Sequence, residues 1–362
     1  MSEIKLSNLS KSFGSTKAVN NISIDIKNGE LITLLGPSGC GKTTTLRMIA
    51  GLEIPDKGEI IINGKNVSRI PPWERDCGFV FQKYALFLHL NIFENIAYGL
   101  RIRKKKKSYI KEKVEFLANM LDITNILDRY PRQLSGGQQQ RVSVARALVI
   151  DPVVLLMDEP LTGLDAKLRE KVRFELKNIQ RKIGITTIYV THDQEEAFVL
   201  ADRIVVMNKG QIEQMGEAMD VYYKPRTAFV AEFMGSGNVL GGIVKEFDNN
   251  ESVADISVSE KFEFKAVKIK EPLEYNDKVV LIFKNSDISL CSQKEEMNNK
   301  GNIFKMNVLG STFIGSIMRL FLQKENIDIK IDLKMTNLNR TFKKGDAVNI
   351  EIESDFIECF KK

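Results

Sequence analysis

Gly36-Pro37-Ser38-Gly39-Cys40-Gly41-Lys42-Thr43 has the spacing of a phosphate-binding loop: glycine, four residues, glycine, lysine, then a hydroxyl residue. The glycines let successive backbone N–H groups turn inward around phosphate oxygens, where a Cβ would clash. Lys42 is placed to reach the β- and γ-phosphates of a nucleoside triphosphate, ATP being the expected one, and the Thr43 hydroxyl to ligate Mg²⁺. Thr44 completes the set of nucleotide-contacting candidates. Further along, the apolar run Val153 to Met157 ends in Asp158-Glu159. Alone that is a strand followed by an acidic turn. Downstream of a phosphate loop, Asp158 is placed to hold Mg²⁺ directly or through water, and Glu159 to act as general base on the attacking water.

Leu134-Ser135-Gly136-Gly137-Gln138 offers a second anion site. Ser135 reads as the N-cap of a helix running from Gln138 to Val149, with exposed amides at its start. A single nucleotide does not need two such sites from one chain.

The elements that must position these residues are legible around them. Leu31 to Leu35 reads as a buried strand feeding the phosphate loop, and Lys42 to Ala50 as a helix stopped by Gly51, whose N-terminal dipole favours anions. Ile4-Lys5-Leu6, Ile22 to Ile26 and Glu59 to Ile62 suggest a small antiparallel layer. Gly78 to Phe81 and Ile185 to Val190 suggest core strands beside the phosphate loop, and Ile204 to Ile212 a closing hairpin. The text between, about 84–150, is mostly helical. An α/β domain with a largely parallel sheet is therefore expected over 1–235. After Gly235-Ser236-Gly237, residues 239–362 carry short alternating runs, such as Lys278 to Phe283 and Ala347 to Ile352, that suggest a small all-β domain. None of the nucleotide motifs lies there.

At 362 residues the chain is long enough for two or three domains, and 43% hydrophobic with 28% charged residues is ordinary for a soluble globular protein. Its longest apolar runs are too short to cross a bilayer, and Met1 to Lys5 lacks the pattern of a signal peptide, so a cytoplasmic location is expected. The four cysteines have no metal-like spacing. The net charge of +6 is mild and argues nothing about nucleic acid, and no nucleic-acid partner is expected. The basic run Arg101 to Lys107 reads as a solvated loop or helix start, with contact to anionic lipid headgroups as the alternative. Cys40 is expected to fill space in its loop, and as a thiol at a nucleotide site to react with a maleimide at a rate that Mg·ATP slows.

With these motifs in this order, residues 1 to about 235 resemble the ATP-binding cassette (ABC) transporter ATPases, whose signature is the LSGGQ string at 134–138. The resemblance implies a head-to-tail homodimer in which the signature of one protomer closes on the γ-phosphate held by the phosphate loop of the other, sandwiching two ATP. It implies stacking of Phe13 on adenine, where the family prefers Tyr. It matches Gln82 to the glutamine that touches Mg²⁺ and water and senses the membrane partner, Asp165 to a loop passed across the dimer, and His192 to the switch histidine on the γ-phosphate. Thr162-Gly163 departs from the Ser-Ala common in close relatives.

Phe229 to Gly235, with Asn238, is similar to the junction leading into the oligonucleotide-binding-like regulatory domain of the importer subfamily. That implies permease subunits, an extracytoplasmic solute-binding protein and a peripheral place on the cytoplasmic face of the membrane. Within that subfamily, Pro71 to Val80 with Arg75-Asp76-Cys77-Gly78, Ile188 to Glu196 and Leu309-Gly310-Ser311 look most like the 2-aminoethylphosphonate branch, with ferric iron and polyamine importers sharing nearly all of these strings and sugar importers behind. Chromosome and repair ATPases carry the same signature, but a very long coiled coil separates it from their phosphate loop; here the gap is about ninety residues. A regulatory protein using ATP as a switch is the alternative class.

Overall fold

The computed structural model describes residues 3–235, 237–248, 250–260, 262–291, 302–335 and 341–362. Met1, Ser2 and the junction residue Ser236 lie outside them. The chain divides into two compact units, Met1–Lys224 and Pro225–Lys362. This division precedes the boundary expected at 235. The reason is the short helix Ala228–Met234, which packs Ala228 and Ala231 against Val280, Ile282 and Phe360 of the second unit.

In chain order the strands of the first unit are β1 (Ile4–Phe13), β2 (Thr16–Ile26), β3 (Leu31–Leu35), β4 (Lys57–Ile62), β5 (Lys65–Asn66), β6 (Cys77–Val80), β7 (Val154–Asp158), β8 (Thr186–Thr191), β9 (Arg203–Asn208) and β10 (Gln211–Gly216). Its helices are α1 (Lys42–Ala50), α2 (Ile92–Ile102), α3 (Lys107–Met120), α4 (Gly136–Leu148), α5 (Ala166–Ile183), α6 (Gln194–Leu200) and α7 (Ala218–Tyr223).

Six strands form the main sheet in the order β10-β9-β3-β8-β7-β6, parallel except for the closing β9–β10 hairpin. β3, β7 and β8 are buried along their whole length, which is why β3 and β7 read as near-continuous apolar runs and β8 as an unbroken β-branched and aromatic one, rather than as alternation. One face shares a core with α1 and the antiparallel layer β2-β1-β4-β5; the other is covered by Ile96, Val114, Leu117 and Val144 of the helical region. Truncating Leu156, fully buried in β7, to alanine would cost about 2–5 kcal/mol and loosen the strand that ends in Asp158.

One expectation needs correction. Cys77–Val80 is the edge strand, separated from β3 by β7 and β8, and Phe81 has left it and is 40% exposed. The apolar run extends one residue past the pairing because Phe81 packs on Phe79, ring centroids 4.4 Å apart, rather than in the ladder. The basic run at 101–107 spans the end of α2 and the start of α3 and is exposed throughout, as expected of a solvated segment.

In the second unit the described strands form two antiparallel five-stranded sheets. One runs Phe262–Lys268, Val253–Ser259, Gly237–Asp248, Lys278–Lys284, Glu358–Lys361; the other Ile288–Cys291, Ala347–Ile352, Asn302–Ile314, Ile317–Lys324, Ile327–Lys334. Alternation along them points Val348, Ile350 and Ile352, for example, into one shared core with Phe264, Phe283 and Leu320. This is the all-β domain expected from the alternating runs.

Candidate nucleotide site

The site lies at the carboxyl ends of four adjacent parallel strands, where open α/β sheets place their ligands. β3 leads into the phosphate loop, β8 into His192, β7 into Asp158 and Glu159, and β6 into Gln82.

Loop geometry explains the glycines. Gly41 has φ +103°, and a Cβ there would sit 2.3 Å from the Ala18 carbonyl oxygen; a Cβ on Gly36 would sit 2.2 Å from that of Met207. Ser38 and Gly39 form the exposed rim, whereas Cys40, Gly41 and Lys42 are buried and Thr43 and Thr44 half-buried. Lys42 Nζ donates to the carbonyl oxygens of Gly36 at 2.7 Å and Pro37 at 2.9 Å, so the lysine is held inside its own loop.

Cys40 fills space in the core cluster that also holds Leu34 and Met207, and its burial works against thiolate chemistry. It is 3% exposed, and burial raises its pKa above the ordinary thiol value against the pull of the nearby Lys42. The expectation of nucleotide-sensitive maleimide labelling therefore gives way to another. Labelling of Cys40 in the folded protein should be slower than in denaturant by about 10²-fold or more, with or without Mg·ATP. Rapid native labelling followed by mass spectrometry of the loop peptide would contradict this geometry.

Two hydrogen-bonded clusters meet at the end of β7. In the first, Thr43 Oγ1 donates to Asp158 Oδ1 at 2.8 Å, joining a hydroxyl and a buried carboxylate. Burial raises the Asp158 pKa; the Thr43 bond, Arg47 and Lys42 pull it down. In the second, three groups converge on one oxygen. Glu159 Oε2 accepts from Gln82 Nε2 at 3.0 Å and Thr162 Oγ1 at 3.3 Å, and lies 3.3 Å from His192 Nδ1. Glu159 itself has φ +43°, a left-handed conformation that costs a non-glycine residue about 1–3 kcal/mol and is held by its N–H donating to the Val190 carbonyl. Gln82 and His192 are exposed, while Glu159 is largely covered.

The His192 loop is itself braced. Buried Glu196 accepts from Thr191 Oγ1 and Tyr189 Oη, and Asp193 caps α6 by accepting from the Glu196 N–H.

The remaining candidates stand outside those clusters. Ser135 caps α4 in a reciprocal capping box: its N–H donates to Gln138 Oε1 at 3.0 Å and its Oγ accepts from the Gln138 N–H at 3.4 Å. A Cβ on Gly136 would sit 2.8 Å from Leu164, and one on Gly137 3.1 Å from Leu168, so the signature packs against the segment holding Asp165. Asp165 caps α5, accepting from the Leu168 N–H at 3.0 Å. Phe13 ends β1, 48% exposed, with Lys11 Nζ 5.4 Å from its ring centroid. Trp73 lies at the surface, 77% exposed.

Two contributors escaped the sequence reading. Thr162 touches the carboxylate from the position where the motif departs from its relatives. Arg75, buried, donates to the Met48 and Ile49 carbonyls and so caps the C-terminus of α1, the helix that begins at the phosphate loop. A capping arginine twenty-five residues from its helix leaves no local signal.

A parallel sheet delivering a phosphate loop, a strand-end carboxylate pair, a glutamine and a histidine to one edge, beside a serine-capped LSGGQ helix, defines an ATP-binding cassette ATPase. A sequence profile of the ABC transporter family matches residues 19–162. The spermidine/putrescine import ATP-binding protein PotA of Acetivibrio thermocellus is 44% identical over 339 residues, covering 91% of this chain and 94% of the relative. The Fe(3+) ions import ATP-binding protein FbpC of Fusobacterium nucleatum subsp. nucleatum is 41% identical over 358 residues, covering 99% and 93%. Among solved structures, the dimeric post-hydrolysis state of the cassette MJ0796 bound to ADP and Pi matches with a TM-score of 0.53 and 32% identity, over 59% of this chain and 98% of that one. The chain belongs to the ABC transporter family, as an ATP-hydrolysing subunit of the importer type. No helix among the described residues is long and apolar enough to cross a membrane.

Proposed function

We propose that this subunit powers polyamine import, hydrolysing ATP in a head-to-tail dimer docked on permease subunits at the cytoplasmic face of the membrane, with an extracytoplasmic binding protein delivering the solute. The observation that carries the chemistry is the convergence of Gln82, Thr162 and His192 on Glu159 beside the Thr43–Asp158 pair. Glu159 is the general base. Gln82 fixes its orientation, and His192, exposed at the end of β8, faces the γ-phosphate. Phe13 supports the adenine, the loop from Gly36 to Thr44 holds the phosphates, and Ser135 to Gln138, with Asp165, act across the dimer.

The donor set fits Mg²⁺. Thr43 Oγ1 and Asp158 Oδ1 are hard oxygen donors 2.8 Å apart, and Gln82, the third candidate, is hydrogen-bonded to the adjacent Glu159. No cluster of three or more His, Cys, Asp or Glu able to hold a metal occurs among the described residues, as suits an ion that takes one or two protein ligands and shares phosphate oxygens for the rest. When bound, Mg²⁺ offsets the charge of the phosphates.

Polyamine is favoured as solute because, of the two relatives whose similarity extends through both units, the spermidine/putrescine one is the more identical, at 44% over 91% of the chain against 41% over 99%. The 2-aminoethylphosphonate reading gains no support from the relatives described above, and ferric iron is the second reading through the longer but less identical match to the iron importer subunit. The test is ATP hydrolysis by the full importer in vesicles with its binding protein, given spermidine, ferric iron or 2-aminoethylphosphonate. Spermidine stimulation is expected. Stimulation by iron or the phosphonate with none by spermidine would reject polyamine and leave the ATPase assignment standing.

A further inference from the structure

We infer that Arg146 and Ser143 on the signature helix are positioning residues for hydrolysis. They clamp the backbone two and three residues after Gln82 and so set the glutamine against Glu159; the inference rests on the general-base reading of Glu159.

Tyr84 and Ala85 are consecutive non-glycine residues in left-handed conformation, with φ +56° and +49°. Neither residue type favours that region, so something outside the loop must hold it. The holder is α4. Arg146 donates through one guanidinium nitrogen to the Ala85 carbonyl at 2.6 Å and through the other to the Tyr84 carbonyl at 2.8 Å, and Ser143 Oγ donates to the Tyr84 carbonyl at 3.2 Å. The guanidinium also lies 5.7 Å from the Phe87 ring centroid. Beyond the clamp, the Phe87 N–H donates to buried Asn95 Oδ1 of α2, so the loop is anchored on two helices of the same helical region. At its start, Gln82 donates to Glu159.

The clamp also ties the loop to the signature. The Tyr84 hydroxyl lies 3.7 Å from the position a Cβ on Gly136 would take. The residue whose carbonyl Arg146 grips therefore lies over the open face of Gly136, at the start of the same helix. Any displacement of α4 must move Tyr84, and with it Gln82, relative to Glu159. A planar bidentate fork can impose this geometry where a lysine ammonium cannot.

The experiment is a double-mutant cycle in the full chain, measuring kcat and KM for Mg·ATP, ATP affinity and thermal unfolding. Arg146→Lys should lower kcat by about 10- to 100-fold with ATP affinity little changed, because it misplaces the glutamine without touching the phosphate loop. On a Gln82→Ala background the same substitution should cost nothing further, since its effect passes through Gln82. Adding Ala85→Gly to Arg146→Lys should restore part of the rate, because glycine adopts the left-handed conformation unaided. If Arg146→Lys fails to fold, Ser143→Ala, which removes one donor to Tyr84, should lower kcat by about threefold and likewise lose its effect beside Gln82→Ala. Losses that multiply with Gln82→Ala, or an unchanged kcat in a folded variant, would overturn the clamp. Glu159→Gln run in parallel separates the two failures: full hydrolysis by that variant rejects the general base, whereas its inactivity combined with multiplicative losses rejects the clamp alone.

Discussion

Glu159→Gln should bind ATP normally and hydrolyse it about 10²–10⁴-fold more slowly. The substitution is close to isosteric and keeps an oxygen able to accept from Gln82 and Thr162, whose bonds to Oε2 are 3.0 and 3.3 Å long. The Thr43–Asp158 pair and the lysine buried in the phosphate loop are left as they are. What disappears, on the proposed general-base role of Glu159, is the proton acceptor. With hydrolysis blocked and binding retained, ATP should also accumulate a stable dimer, seen as a nucleotide-dependent shift in size-exclusion chromatography. Hydrolysis by the purified variant at near the unmodified rate, with binding intact, would remove Glu159 from the mechanism.

The parts of this site that the sequence reveals are those whose chemistry is local. The phosphate loop is legible because backbone crowding at Gly36 and Gly41 admits no side chain, a constraint written directly as residue type. The Ser135–Gln138 capping box is legible because both partners lie within one helical turn. Asp158 is legible because a strand buried on both faces reads as an apolar run, and its end is where the run stops.

Non-local pairing is where legibility fails. Nothing in Cys77-Gly78-Phe79-Val80 distinguishes an edge strand from a central one, since the edge is fixed by β7 and β8, whose residues lie more than seventy positions away. Cys40 is buried in a core cluster that includes Met207 of β9, and the left-handed pair Tyr84-Ala85 is held by Arg146. The division of the units at Lys224/Pro225, ahead of the junction near 235, has a related reason. Ala228–Met234 looks like the end of an α/β domain, but its small residues Ala228 and Ala231 find their partners on strands fifty and more positions later.

Ser135→Arg and Lys42→Ala should each be inactive alone and active when mixed. Ser135 caps α4 and packs, through its glycines, against Leu164 and Leu168; its hydrogen bonds go to Gln138 and not to the phosphate loop of its own chain. An arginine there should therefore leave nucleotide binding by its own phosphate loop unchanged while blocking closure on the partner's ATP. Lys42→Ala does the reverse: it removes the cation that the loop carbonyls of Gly36 and Pro37 hold in place and keeps the signature intact. In a mixed dimer, one composite site combines the sound loop of the Ser135→Arg chain with the sound signature of the Lys42→Ala chain, and the other carries both lesions. Free re-assortment of equal amounts makes half the dimers mixed, each with one of two sites intact, so hydrolysis should recover to about a quarter of the unmodified rate if the sites act independently. The count of ATP retained, one per mixed dimer, checks the same arrangement without relying on independence. Loss of ATP binding by isolated Ser135→Arg protomers would place the signature at its own phosphate loop and overturn the shared-site dimer.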